Sequence, residues 1–242
     1  MIRNYDIDQG RFEFSPLQVL GVVVNYFCGY QYLYPKIGVW ISGSKGVVTP
    51  RVAMFIYLFT LLTTVFIVRK ELWASFRYFK RSIRTNIGPV FRIAGALLLF
   101  NIAIGLIVQL IMGDGTVSAN QAAVNDGLRN FPFLNMFATI IFAPIVEEIV
   151  FRGAFYQALR SEKAYKSSIF ISCLLFGLIH IVPSMAATGD LTQLVYLIPY
   201  SGMAIFMILA FEVTGSIWGA IFVHMLNNAF ATLTVILPMF LG

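Results

Sequence analysis

NFPFLNMFATIIFAPIVEEIVFRG, residues 130–153, decides how the rest of the chain is read. From Asn130 to Val146 there is no charged residue. Glu147, Glu148 and Arg152 then follow inside what otherwise reads as an apolar helix. An uncharged run of this length has the character of a membrane span, because a helix needs about 20 apolar residues to cross a hydrocarbon core roughly 30 Å thick. Ionisable side chains inside such a run are costly, about 2.5–3.5 kcal/mol each on insertion scales, and are functional by default.

The composition agrees. Of 242 residues, 59% are hydrophobic and 12% charged, half the roughly 25% charge of soluble domains, and the mean hydropathy is +0.81. Further apolar runs lie near 16–34, 52–68, 92–112, 134–158, 168–184, 192–211 and 216–240. Only helices or a closed barrel satisfy their backbone groups in lipid, and the runs are continuous rather than alternating, so they read as helices. The expectation is an all-α polytopic transmembrane bundle of about 7–8 spans with an intramembrane polar cavity. It forms a single membrane domain over 1–242, with N-terminal spans over 16–112 and a motif-bearing core over 134–240. Whether the last run is one span or a span plus a re-entrant piece stays open.

The net charge of +6 does not indicate a nucleic-acid partner. Seven of the seventeen basic residues, Arg69, Lys70, Arg77, Lys80, Arg81, Arg84 and Arg92, lie between two apolar runs. That is the pattern of a cytoplasmic loop facing anionic lipid, and SFRYFKRSIR within it suits an amphipathic surface helix. The segment around RSEKAYK is basic again, whereas GDGTVSANQAAVNDG has acids and no base. The positive-inside rule then puts 69–91, 160–167 and the N-terminus in the cytoplasm and 113–131 outside. Lys36, Lys45 and Arg51 dissent, falling in a loop assigned outside. The opening MIRNYDIDQGRFEF lacks the features of a signal peptide, so the first run reads as a retained span. Cys28 and Cys173 both lie in apolar runs and read as buried, inert thiols rather than a disulfide. Gly215 and Gly219 have the spacing of a close helix contact, with chance as the alternative.

Helical geometry sorts the intramembrane charges. Glu148 and Arg152 are four apart and share a face, so they pair. Glu147 is rotated by about 100° from Glu148 and faces something else. Pro144 removes a helical hydrogen bond just upstream and bends the helix near Glu147. The only two histidines, His180 and His224, also lie in apolar runs. At 1.5 Å per residue, Glu147 is about 20 Å deep, His180 and Asn228 about 18 Å, and His224 about 12 Å. One polar layer, slightly to the cytoplasmic side of the midplane, can hold all four. His224 and Asn228 share a face; Asn227 is three from His224, and Phe176 four from His180. Each has a structural alternative: helix–helix hydrogen bonding for the histidines and asparagines, a structural ion pair for Glu148 and Arg152, packing for Phe176. Together, an unpaired carboxylate, two imidazoles and a carboxamide at matching depth make a hydrolytic site.

The sequence here resembles a known family. EEIVFR fits its Glu-Glu-x-x-x-Arg motif at Glu147, Glu148 and Arg152; FGLIH fits Phe-x-x-x-His at Phe176 and His180; HMLNN fits His-x-x-x-Asn at His224 and Asn228. Each is weak alone, and the three in order are a stronger signal. They are the motifs of the CPBP intramembrane proteases, which include CAAX prenyl proteases and bacteriocin-processing proteins of the Abi type. The resemblance implies a helical core around a water-filled cavity and peptide-bond hydrolysis within it. It implies Glu147 and His180 as activators of water, His224 and Asn228 as the oxyanion hole, and Glu148, Arg152 and Phe176 as supports. No cofactor is needed for this chemistry. Zinc on Glu147, His180 and His224 is the alternative, since two histidines and a carboxylate are a catalytic zinc shell, although HExxH is lacking. The expected partners are the lipid bilayer and a peptide or small membrane-associated protein, entering laterally or from a cytoplasmic mouth. The expected place is a bacterial plasma membrane, in peptide maturation or self-immunity. The rival readings are a non-catalytic scaffold or sensor regulator that keeps the fold, and a small transporter, which would commonly show duplicated halves.

Overall fold

The computed structural model describes residues 13–241 apart from 45 and 162. Most of the N-terminal segment, and Lys45 with its dissenting charge, lie outside the described residues. Among the described residues every regular element is helical. We number them α1 (16–42), α2 (Pro50–Ile67), α3 (Arg69–Arg81), α4 (Ile83–Met112), α5 (Ala119–Asn130), α6 (Pro132–Leu159), α7 (Tyr165–Thr188), α8 (Leu191–Thr214) and α9 (Ile217–Leu241).

Six of them, α2, α4 and α6 to α9, are long and apolar enough to cross a membrane. The α1 run, capped by Ser15 and wound as a π-helix over Asn25–Leu33, is not among the six. Its π segment carries Asn25, whose amide donates to Thr60 O and Thr64 Oγ1 of α2, so α1 is tied to α2 by polar contacts. The last run is one continuous helix, α9.

Three expectations are corrected. The segment 69–91 is helical apart from Ser82 rather than a loop, so the amphipathic helix expected of SFRYFKRSIR is present and longer than read. The α3 helix buries Leu72, Ser75 and Phe79 at helical spacing, and α4 begins at Ile83 rather than 92, because only Ser82 intervenes. Arg69, Lys70, Arg77, Lys80, Arg81 and Arg84 stay exposed around it. The polar segment 113–131 is likewise not a plain loop: Ser118 Oγ caps α5 by accepting from Gln121 N. Cys28 is exposed rather than buried, on the outward side of α1, while Cys173 is buried as expected.

Burial divides each helix lengthwise. In α4, Leu99, Ile102, Leu106 and Leu110 form an outward apolar stripe, whereas Leu97 and Val108 are buried. The α8 helix packs against α4, α7 and α9, and α9 in turn against α4 and α6. The ends are fixed by polar contacts. Ser75 of α3 and Ser216, just before α9, bond each other at 2.7 Å, and Trp218 Nε1 donates to Leu72 O. At the other end, the first amide of α5, Ala119 N, donates to Gln193 Oε1 of α8. The basic segments and the segment 113–131 therefore lie at opposite ends of the bundle.

The Gly215 and Gly219 spacing reflects a tight turn. Gly215 ends α8 at a φ of 64°, in the left-handed region. A Cβ on Gly219 would run into the Thr214 side chain and come within 2.9 Å of Ala210 O. Gly219→Ala should therefore cost about 1–3 kcal/mol through overpacking. Thermal unfolding in detergent checks this against Gly95→Ala, where nothing lies within 4 Å; equal midpoints would refute it.

Candidate active site

The site is built around α6. Glu148 and Arg152 are fully buried, with Arg152 Nε 3.0 Å from Glu148 Oε2. The approach is that of an ion pair, but its angle is poor for a hydrogen bond. Arg152 Nη2 donates to Ala204 O of α8 at 3.1 Å, and the guanidinium lies 4.6 Å from the Phe176 ring centre. The pairing read from the four-residue spacing is therefore present. A further partner was not anticipated: His224 Nδ1 lies 2.9 Å from Glu148 Oε1. The other histidine nitrogen, Nε2, is 4.0 Å from Glu147 Oε2. His224 thus stands between the two glutamates, and Glu148 is held by α6 and α9 together.

Glu147 is turned away from Arg152, as the helical rotation requires, and retains 12% exposure against 0% for its neighbour. It lines a cavity of about 500 Å³ together with His180, His224, Asn228 and Phe176. All four residues read as the reacting set are therefore brought to one space. The cavity wall includes residues of 116–128 and none of 69–91 or 160–167. The space runs to the end opposite the basic segments, beneath α5, which does not match a mouth at the basic end; lateral entry stays an expectation.

His180 is fixed on three sides. Its Nδ1 is 2.7 Å from Phe176 O. A carbonyl only accepts, so Nδ1 carries the proton and Nε2 keeps a free lone pair. The ring lies 4.7 Å from Phe176 and stacks on Tyr200 at 4.4 Å and 20°. Phe176, read from sequence as packing or support, thus supplies both a ring and the carbonyl that sets the tautomer. Tyr200 was not found from sequence. Its hydroxyl bonds Ser118 at 2.6 Å and accepts from Asn120 at 3.2 Å, tying the start of α5 to the ring beside His180. Asp190, outside the spans, accepts from Thr192 and Gln193. The Thr192 donors, then Gln193, hold its carboxyl below the ordinary carboxylate range.

Asn228 owes its orientation to a proline. Residues Phe137–Phe142 are wound as a π-helix, and Ala143 N–H donates five residues back to Ala138 O. In the same register the next donor, to Thr139 O, falls at Pro144, which has no N–H. The freed carbonyl accepts from Asn228 Nδ2 at 2.8 Å. On the other side Asn227 Nδ2 donates to Asn228 Oδ1 at 3.1 Å, and Asn101 Nδ2 of α4 donates to Asn227 Oδ1 at 2.7 Å. The amide of Asn228 is therefore fixed with one N–H left over. Pro144 was read as a bend; it also acts as a missing donor. Asn101 was missed, although it is a lone carboxamide in the run 93–108.

Among the described residues no three His, Cys, Asp or Glu side chains are gathered as a metal shell.

Known proteins add to this geometry. Residues 129–230 match the family model described as Type II CAAX prenyl endopeptidase Rce1-like, a stretch that holds all three motifs. The chain is similar to that family over this stretch. It is 28% identical over 134 residues to the membrane peptidase YdiL of Bacillus subtilis (strain 168), covering 55% of this chain and 50% of that protein. It is 25% identical over 142 residues to the membrane-embedded CAAX protease MroQ of Staphylococcus aureus (strain USA300), covering 56% and 53%. The chain thus spans about half the length of the curated relatives it matches. No solved structure gives a significant match.

Breaking a buried pair by removing one partner typically costs about 3–5 kcal/mol. Arg152→Ala should lower thermal stability in detergent by that order, since it strands Glu148. The double change Glu148→Gln with Arg152→Met should recover much of the loss. If the single variant melts with the parent protein, the pair does not support the fold.

Proposed function

We propose that this protein is an intramembrane endopeptidase that needs no metal. The observation that carries the reading is the meeting of Glu147, His180, His224 and Asn228 at one cavity, inside a segment similar to membrane peptidases. Glu147 and His180 Nε2 bind a water and take its proton as its oxygen attacks the peptide carbonyl. The tetrahedral oxyanion accepts from the spare N–H of Asn228 and from His224 Nε2–H. For that second donor His224 carries protons on both nitrogens, with Glu148 accepting from Nδ1. An oxyanion donor of this kind is typically worth about 2.7–4 kcal/mol of barrier. Collapse breaks the C–N bond, and the proton held by the Glu147–His180 pair passes to the leaving amine. Glu148, Arg152 and Phe176 hold these groups in place.

The relatives' names include a CAAX protease, and maturation or clearance of a membrane-associated peptide in a bacterial plasma membrane fits a site at this depth. The basic segments 69–91 and 160–167 are read as cytoplasmic, with the N-terminus inside.

Glu147→Gln and His180→Ala should each abolish peptide cleavage while leaving membrane insertion and thermal midpoint unchanged. Normal processing by either variant overturns the assignment. Treatment with a chelator should leave the rate unchanged; a loss that zinc restores would overturn the metal-free reading. Pro144→Ala supplies the missing N–H to Thr139 O and competes with Asn228. It should lower kcat about tenfold or more, on the scale of a weakened oxyanion donor, with the melting temperature unchanged or raised. An undiminished kcat would count against Asn228 as an oxyanion donor.

A further inference from the structure

The cavity wall has an unusual chemistry. Apart from tyrosines, its ionisable side chains are Glu147, His180 and His224. Among the described residues, no lysine, arginine or aspartate lines it. The nearest intramembrane cation, Arg152, is shut behind Phe176 and spent on Glu148 and Ala204 O. What the wall has instead is carboxamides from α4, α5, α6 and α9, among them Asn101, Gln109, Asn120 and Asn228. Several keep hydrogen-bonding capacity. Asn101 and Asn120 each donate through Nδ2, to Asn227 and Tyr200, and no hydrogen bond to their oxygens occurs among the described residues. Gln109 lies eight residues, a little over two turns, beyond Asn101 on α4, toward α5.

A carboxamide has the same donor and acceptor pair as a peptide group. A row of them suits an extended backbone, whose N–H and C=O groups must find partners once water is left behind. A charged side chain would meet only the reacting groups Glu147, His180 and His224 here, with no other counter-ion among the described residues of the wall, and the same holds for a terminal carboxylate. We propose that the cavity accepts an internal stretch of uncharged peptide, held through its backbone by the carboxamides of α4, α5 and α9. The selection is against charge beside the scissile bond and is indifferent to the distance from the peptide's end. This rests on the endopeptidase reading for its scissile bond, but the binding claim is tested without cleavage.

The probes are fluorescein-labelled twelve-residue peptides of Ala, Leu, Ser and Asn with an amidated C-terminus. Matched versions carry a central Lys, a central Asp, or a free C-terminal carboxylate. Binding to the full chain in nanodiscs is read by anisotropy with the Glu147→Gln variant, so that nothing is cut. The neutral peptide should bind, and one central Lys or Asp should weaken Kd about tenfold or more, the cost of an unpaired charge. The free carboxylate should make no difference. Gly105 lines the cavity with nothing within 4 Å of a Cβ, so Gly105→Phe should fill the space and abolish binding. Asn101→Leu and Gln109→Leu should each weaken the neutral peptide. Equal binding of charged peptides, a need for the free carboxylate, no binding of the neutral peptide, or binding untouched by Gly105→Phe would each overturn the proposal. A neutral peptide that binds to the active protein but is never cut overturns the catalytic reading and leaves this one standing.

Discussion

Glu148 is a carboxylate with no access to water, and the structure around the cavity follows from keeping it satisfied. A charge buried in a low-dielectric interior needs a partner and hydrogen bonds on its remaining lone pairs. Arg152 comes from the same helix and His224 from α9. Arg152 reaches in turn to a carbonyl of α8 and lies over Phe176 of α7. One buried charge therefore joins four helices. The same contacts set His224 beside Glu147, the carboxylate left facing the open space.

Backbone groups do much of the remaining positioning. In a helix interior, carbonyls are normally consumed by the helix itself, so a side chain that needs a fixed acceptor has few to choose from. Here the π register before Pro144 releases Thr139 O, and Asn228 takes it. π turns inside α-helices are frequent at functional sites, and this one has a plain physical cause in a residue without an N–H. Phe176 O shows the second way: a carbonyl one turn back accepts from the imidazole of His180 and fixes which nitrogen is free.

Much of this is legible in the sequence because the penalty for charge in lipid makes exceptions conspicuous. Glu147, Glu148, Arg152, His180 and His224 stand out from apolar runs, and a spacing of four assigns Glu148 to Arg152 and Asn228 to His224. Neutral polar residues stand out less. Asn101 and Tyr200 are ordinary in a membrane helix, and only three-dimensional packing shows that one reaches Asn227 and the other His180. Charge counting also misled over 69–91 and 113–131. Polar composition suggested loops, whereas each segment has enough apolar residues on one face, Leu72 and Phe79 in the first and Leu128 in the second, to fold as a helix against the bundle. The reach of the cavity toward the end away from the basic segments was not foreseen for the same reason, since helix α5 could not be seen to line it.

The α4 helix has 30 residues, about 45 Å of length at 1.5 Å per residue, against a hydrocarbon core roughly 30 Å thick. Its first turns, with Arg84 and Arg92, extend among headgroups, and the remainder meets lipid along the Leu99 to Leu110 stripe. A helix longer than the local bilayer accommodates by tilting. Asn101 and Gln109 of α4 line the cavity, so a thinner membrane that leans this helix also leans that wall. Hydrophobic mismatch thereby acts on the width of the chamber, and the lipid composition around the protein becomes part of the geometry that a substrate meets.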